Sequence, residues 1–128
     1  MYYDRKGEQI DLWTWAAYTE DSRYRFISKT LVLNIVVSTV WIGLDSVYFR
    51  NQPPLIFETM FYTVYDGTFF DFQDRYSTED EAIKNHKQIC LIVFLAQLRP
   101  DLDWGIEIPI PKLLTAPIYS ISGSSPSV

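Results

Sequence analysis

The sequence is short of the residues that most enzyme chemistry needs. It has one cysteine, Cys90, and one histidine, His86. A single thiol excludes an internal disulfide framework and a cysteine-rich zinc site. A single imidazole excludes the histidine-based metal constellations, so no metal or cofactor is expected, and it leaves one candidate imidazole base. The five glycines are scattered. Neither a G-x-G-x-x-G turn nor a P-loop is present to cradle phosphate, and there is no G-x-S-x-G elbow for a serine hydrolase. The longest apolar run, Ile89 to Ala96, has eight residues, where a membrane span needs about 20. The opening, Met1-Tyr2-Tyr3-Asp4-Arg5, turns polar at residue 4, unlike a secretory signal. A soluble, intracellular protein is the expectation.

What is present fits one globular domain. The chain has 128 residues, 48% hydrophobic and 21% charged, which excludes a disordered chain. A chain of this length buries roughly two-thirds of its unfolded surface and folds without a metal or disulfide. Aromatics are plentiful at 16%. The net charge is −5, and residues 51–128 carry ten acids against five bases, so the whole excess lies there. Phosphate contacts need clustered Lys and Arg, so direct nucleic-acid binding is not expected. Arg23, Arg25 and Lys29 form the only basic group.

The pattern predicts an α+β fold: an antiparallel sheet of three or four strands, a short N-terminal helix, one long helix packed on the sheet and an extended C-terminal strap. Met1 to Arg5 reads as a short strand or arm. Asp11 caps a helix from Leu12 to about Thr19. Arg25 to Leu33 and Ile35 to Leu44 read as a hairpin turning at Asn34, because Val, Ile, Thr and aromatics dominate both. Leu55 to Tyr65 follows Pro53-Pro54 as a third strand. After the Asp66-Gly67 turn, Thr68 to Phe72 reads as a fourth. Ser77-Thr78-Glu79-Asp80 resembles a capping box, and a helix follows to near Leu98, ahead of Pro100. Ala82, Ile83, His86, Ile89, Cys90, Val93, Phe94 and Gln97 mark one face. The second half of this helix is apolar all round, so something must cover its back. The division is 1–98 for the domain and 99–128 for a proline-bearing apolar tail. That tail is expected to pack on the domain or on a neighbouring subunit. Leu91, Ile92 and Leu95 on the helix and Ile108, Ile110 and Leu114 in the tail are the expected contacts.

The candidate chemistry is sparse. His86 and Cys90 stand four apart on one helix face, where a Cys-His nucleophile pair can form. The plainer reading makes both core-side residues, with His86 at the wet margin and Cys90 a small hydrophobe. Glu58 lies in Leu55-Ile56-Phe57-Glu58-Thr59-Met60-Phe61, and a charge among apolar strand neighbours faces solvent or is paired at some cost. The plain reading is an exposed Glu58 on the wet sheet face. The sharper one is a polar pocket joining Glu58, Thr39 or Ser38, and Trp41 as an aromatic wall. The candidate partner- or ligand-binding residues are Thr39, Trp41, Asp45, Glu58 and Thr59. The acidic stretch Asp66, Asp71, Asp74, Glu79, Asp80 and Glu81 reads as mimicry of a phosphate backbone or, more plainly, as a solvated loop and a well-capped helix start.

Three blocks carry a resemblance: Val37-Ser38-Thr39-Val40-Trp41-Ile42-Gly43-Leu44-Asp45, Pro53-Pro54-Leu55-Ile56-Phe57-Glu58-Thr59-Met60 and Arg75-Tyr76-Ser77-Thr78-Glu79-Asp80-Glu81-Ala82. With the opening Tyr2-Tyr3-Asp4-Arg5-Lys6-Gly7, they resemble a group of small, uncharacterised bacteriophage and prophage proteins over about residues 1–90. Ser46 stands where that group tends to have His, and Asn85 where it has Gly. The resemblance implies a viral origin and a host bacterial cytoplasm, and nothing about catalysis. The expected function is stoichiometric binding to a bacterial host factor, for example a host-defence component, or self-association. The alternative is a small ligand such as a nucleotide signal held on the Trp41 and Glu58 face. An enzyme using His86 and a structural virion part are less favoured readings, because aromatic excess and an over-apolar helix mark an interface.

Overall fold

The structure is a computed structural model and describes residues 1–45 and 51–107. It is α+β. Strands β3 (Phe26–Val32), β4 (Ile35–Trp41), β5 (Phe57–Thr63) and β6 (Asp74–Tyr76) form an antiparallel sheet in that order. One long helix, α3 (Glu79–Leu98), crosses one face of it. A small hairpin, β1 (Tyr2–Tyr3) with β2 (Gln9–Ile10), and two helices, α1 (Leu12–Glu20) and α2 (Ser22–Arg25), precede the sheet. Among the described residues no helix is long and apolar enough to cross a membrane.

Local chemistry accounts for the element ends. Asp11 caps α1 by accepting from the Thr14 N–H at 2.7 Å, and Asp21 caps α2. Thr78, one residue later than the sequence suggested, caps α3. Its hydroxyl accepts from the Glu81 N–H and donates to the Glu81 carboxylate. The capping box is therefore Thr78-Glu79-Asp80-Glu81, which has the full-length acid that the Ser77 register lacked. In the β3–β4 turn Leu33, and not Asn34, takes a positive φ of 56°. Pairing of Val32 with Ile35 leaves only two turn residues, and the left-handed region costs a residue like Leu about 1–2 kcal/mol.

The fourth strand is Asp74–Tyr76, and Thr68 to Phe72 is not a strand. After the Asp66-Gly67 turn the chain makes a single bridge, Phe69 to Tyr62. Phe70 and Phe72 then turn inward onto Phe61, with ring centroids 5.4 and 4.9 Å away. Partly burying two more aromatic rings against Phe61 offsets the ladder bonds given up, because aromatic rings dominate core packing. Pairing resumes at Asp74 opposite Thr59, and next sets Arg75 opposite Glu58.

Alternation along β4 and β5 decides the layers. Ile35, Val37, Thr39 and Trp41, with Phe57, Thr59, Phe61 and Thr63, point under α3 and are buried. Ala82, His86, Ile89, Val93 and Ala96 meet them from the helix. At the Trp41 end the cover passes to the N-terminal segment. Tyr24 meets Trp41 edge-on at 5.0 Å, the Trp41 Nε1–H donates to the Tyr3 carbonyl at 3.1 Å, and Arg5 joins Glu79 at the start of α3. Gly43 has a φ of +63°, and a Cβ there would stand 2.2 Å from the Trp41 ring. Only glycine lets the chain turn so close under that indole.

Candidate functional site

The two faces of the sheet hold different chemistry. Under α3 lies a buried polar chain. The His86 Nε2 is 2.8 Å from the Thr30 hydroxyl and its Nδ1 is 2.7 Å from the Thr39 hydroxyl, which in turn bonds the Thr59 hydroxyl. His86 is 3% exposed, so it is a core group and not one at the wet margin. With both nitrogens occupied, the ring has no free lone pair for a substrate. Burial pushes the imidazole below its ordinary value and the Cys90 thiol above its own. A thiol raised in this way is a weak nucleophile. The Tyr76 hydroxyl is buried beside this layer, and burial pushes it up to about 12.

The opposite face has no described helix or strand over it except at one end, where Trp15 and Thr19 of α1 line a hollow with Val40 and Glu58. Val36, Ser38 and Val40 on β4 and Met60 and Tyr62 on β5 are half-buried there. Leu31 and Phe69 at its margins are 64% and 53% exposed. A groove of about 400 Å³ runs across this face from Phe26 and Lys29 to Gly67 and Phe69, floored by Val40 and Met60. A second hollow continues it past Arg25 and Glu58 towards Trp15 and Arg75.

Of the expected polar pocket of Glu58, Thr39 or Ser38, and Trp41, only Thr39 is excluded: Ser38 lines the groove with Glu58, and Trp41 lines the second hollow with it. Adjacent registers send Thr39 and Glu58 apart: Thr39 and Thr59 face α3 at 0% exposure, while Glu58, opposite Val40 and Arg75, faces the open side. Thr39 and Thr59 belong to the histidine chain, and Trp41 is walled in by Tyr18 and Tyr24. Glu58 is also not an exposed carboxylate. It is 8% exposed, accepts from Arg75 Nε at 3.1 Å and accepts from Gln73. The pairing alternative holds, since a carboxylate among Val40 and Met60 needs a partner to offset its lost hydration. Asp45 sits apart from both sets and accepts from the Leu55 N–H at 2.8 Å.

Several acids of the 66–81 stretch have local partners. Asp66 accepts from the Thr68 N–H, Glu79 pairs with Arg5, and Glu81 closes the capping box. On the back of α3, Leu91, Phe94 and Leu98 are 58%, 39% and 53% exposed, and Ile92 and Leu95 are half-buried. The start of the tail reaches the core through Ile106. Ile108, Ile110 and Leu114 lie outside the described residues. No group of three or more metal-ligating side chains occurs among the described residues. Comparison with protein-family models, curated proteins and solved structures finds no match for this chain.

Sequence reading missed the open-face residues Arg25, Phe26 and Lys29. The signal was present in the lone basic group. A β-bulge hid its meaning: Phe26 opposes Val40 while Ser28 opposes Thr39, so one extra residue is inserted. That insertion lets Phe26 and Lys29, three apart, stand on the same face.

Proposed function

We propose that this protein works by stoichiometric binding of another protein and not by catalysis, and that the open sheet face is the surface it offers. The observation that carries this reading is the contrast between the two faces. The reactive side chains, His86 and Cys90, sit in the layer under α3. The apolar residues Leu31, Met60, Tyr62 and Phe69 are left around a groove. Contiguous apolar surface of this kind, rimmed by charge, is a common mark of a protein interface. The resemblance to phage and prophage proteins supports a bacterial host factor as the partner, an anti-phage defence component among them, within the host cytoplasm. Self-association is the other outcome.

The test compares two baits, the native chain and Met60→Asp. A host protein held in one-to-one ratio by the native chain and lost by Met60→Asp, at equal melting temperature, is the expected result. A dimer in solution that Met60→Asp dissociates makes the partner a second copy. A partner held equally by both baits moves the interface elsewhere.

A further inference from the structure

Arg25 and Lys29 hold an arrangement that the fold alone does not require. The Arg25 guanidinium carbon lies 4.9 Å from the Phe26 ring centroid, and the Lys29 ammonium lies 5.5 Å from the same centroid. Two cations thus share one aromatic ring. Neither forms an ion pair among the described residues. The Arg25 Nε–H is in addition buried with no hydrogen-bond partner, and an unmade buried hydrogen bond is unfavourable. The one carboxylate lining the groove, Glu58, is already taken by Arg75 and Gln73. The groove beneath the two cations is apolar, floored by Val40 and Met60 and closed by Phe69. On a chain of net charge −5, this face carries an excess of positive charge.

From this we infer that the groove takes a segment of a protein partner in which a carboxylate side chain is flanked by apolar side chains. The carboxylate lands on Arg25 and Lys29 above Phe26, and the apolar neighbours fill the floor between Val40 and Phe69. A guanidinium donates paired N–H groups to a carboxylate, which gives such a pair both strength and direction. Positive face and acidic segment also complement each other in charge, which sets orientation and speeds encounter. This inference rests on the proposed binding role of the open face and names the chemistry of what it binds.

Three sets of synthetic peptides test it, alternating leucine with aspartate, with serine or with lysine, titrated against the full-length protein by fluorescence anisotropy at low and moderate salt. The expected result is preference for the aspartate set by about tenfold or more, weakened by salt. The variant Arg25→Gln/Lys29→Gln should lose that preference while its melting temperature holds. Equal binding of all three sets, no binding of the aspartate set, or the same preference in the variant overturns the inference. So does inorganic phosphate displacing the aspartate peptide at equal concentration, which would mark a phosphate site. The binding role itself is judged separately. A partner lost by Met60→Asp but kept by Arg25→Gln/Lys29→Gln leaves that role standing and removes only the acidic segment.

Discussion

Val36 and Val37 are neighbours in one strand, and Phe61 and Tyr62 are neighbours in the next, yet they live in different environments. Val37 and Phe61 are 0% exposed under α3, while Val36 and Tyr62 remain half in water on the uncovered side. The residue types differ little between the two faces. What differs is cover: α3 packs along one side, and on the other no described helix or strand lies over Val36, Ser38, Met60 and Tyr62, α1 reaching only the far end through Trp15 and Thr19. Burial here follows from the neighbouring layer more than from the side chain, and an apolar residue left without a neighbouring layer is available to a partner.

The sharpest way to break this contrast is to truncate one ring on each face. Phe61→Ala removes a fully buried ring that stacks on Phe72 and should cost about 3–5 kcal/mol in urea unfolding. Tyr62→Ala should cost less than about 1 kcal/mol. Equal costs would mean that the open face is covered in solution, which a concentration-dependent midpoint would reveal as a second copy.

Next in size is Gly43→Ala, which probes how tightly the covered face is closed. The new methyl would meet the Trp41 ring and, at 2.7 Å, the Tyr3 carbonyl, at a φ of +63°. Left-handed strain and overpacking together should cost about 2–4 kcal/mol, with a visible change in tryptophan fluorescence. A silent substitution would show the Trp41 cover to be loose.

The smallest effect is a pH dependence confined to the covered face. Burial holds His86 below its ordinary value, so the unfolded chain binds a proton that the folded chain refuses. Stability is then full above about pH 6.5 and falls as the pH drops through that value. The carboxylates of Asp11, Asp66 and Asp101 are lowered from 3.8, so they act at more acid pH than this window. Urea midpoints at pH 7.5 and 5.5 should differ for the native chain and differ less for His86→Gln. An unchanged slope in His86→Gln would place the titration elsewhere.

How legible this was from sequence varies with the range of the forces involved. Asp11 as a cap, the long helix ending before Pro100 and the three strands of Val, Ile, Thr and Phe depend on residues within a few positions, and they read directly. The fourth strand did not, because Phe70 and Phe72 were drawn off the ladder by Phe61, a contact that no local pattern displays. Thr39 failed as a partner of Glu58, and Ser38 took its place beside it, although the alternation in each strand was readable. Register between strands, together with the side chosen by the helix, decided which alternate set met which. The Arg25, Phe26 and Lys29 cluster was hidden by a bulge, which shifts the alternation by one residue and leaves little trace in composition.

The sequence by itself determined an α+β chain with a long helix, little reactive chemistry and more apolar surface than one helix–sheet layer uses. Periodicity, capping residues and the scarcity of histidine, cysteine and glycine all act locally or by simple count. Only the tertiary structure decided that the lone imidazole is sealed between two threonines, that Glu58 is paired by Arg75 on the neighbouring strand, and that two cations stand over Phe26 with no ion-pair partner among the described residues. Each of these depends on which strand lies beside which, and long-range packing sets that order.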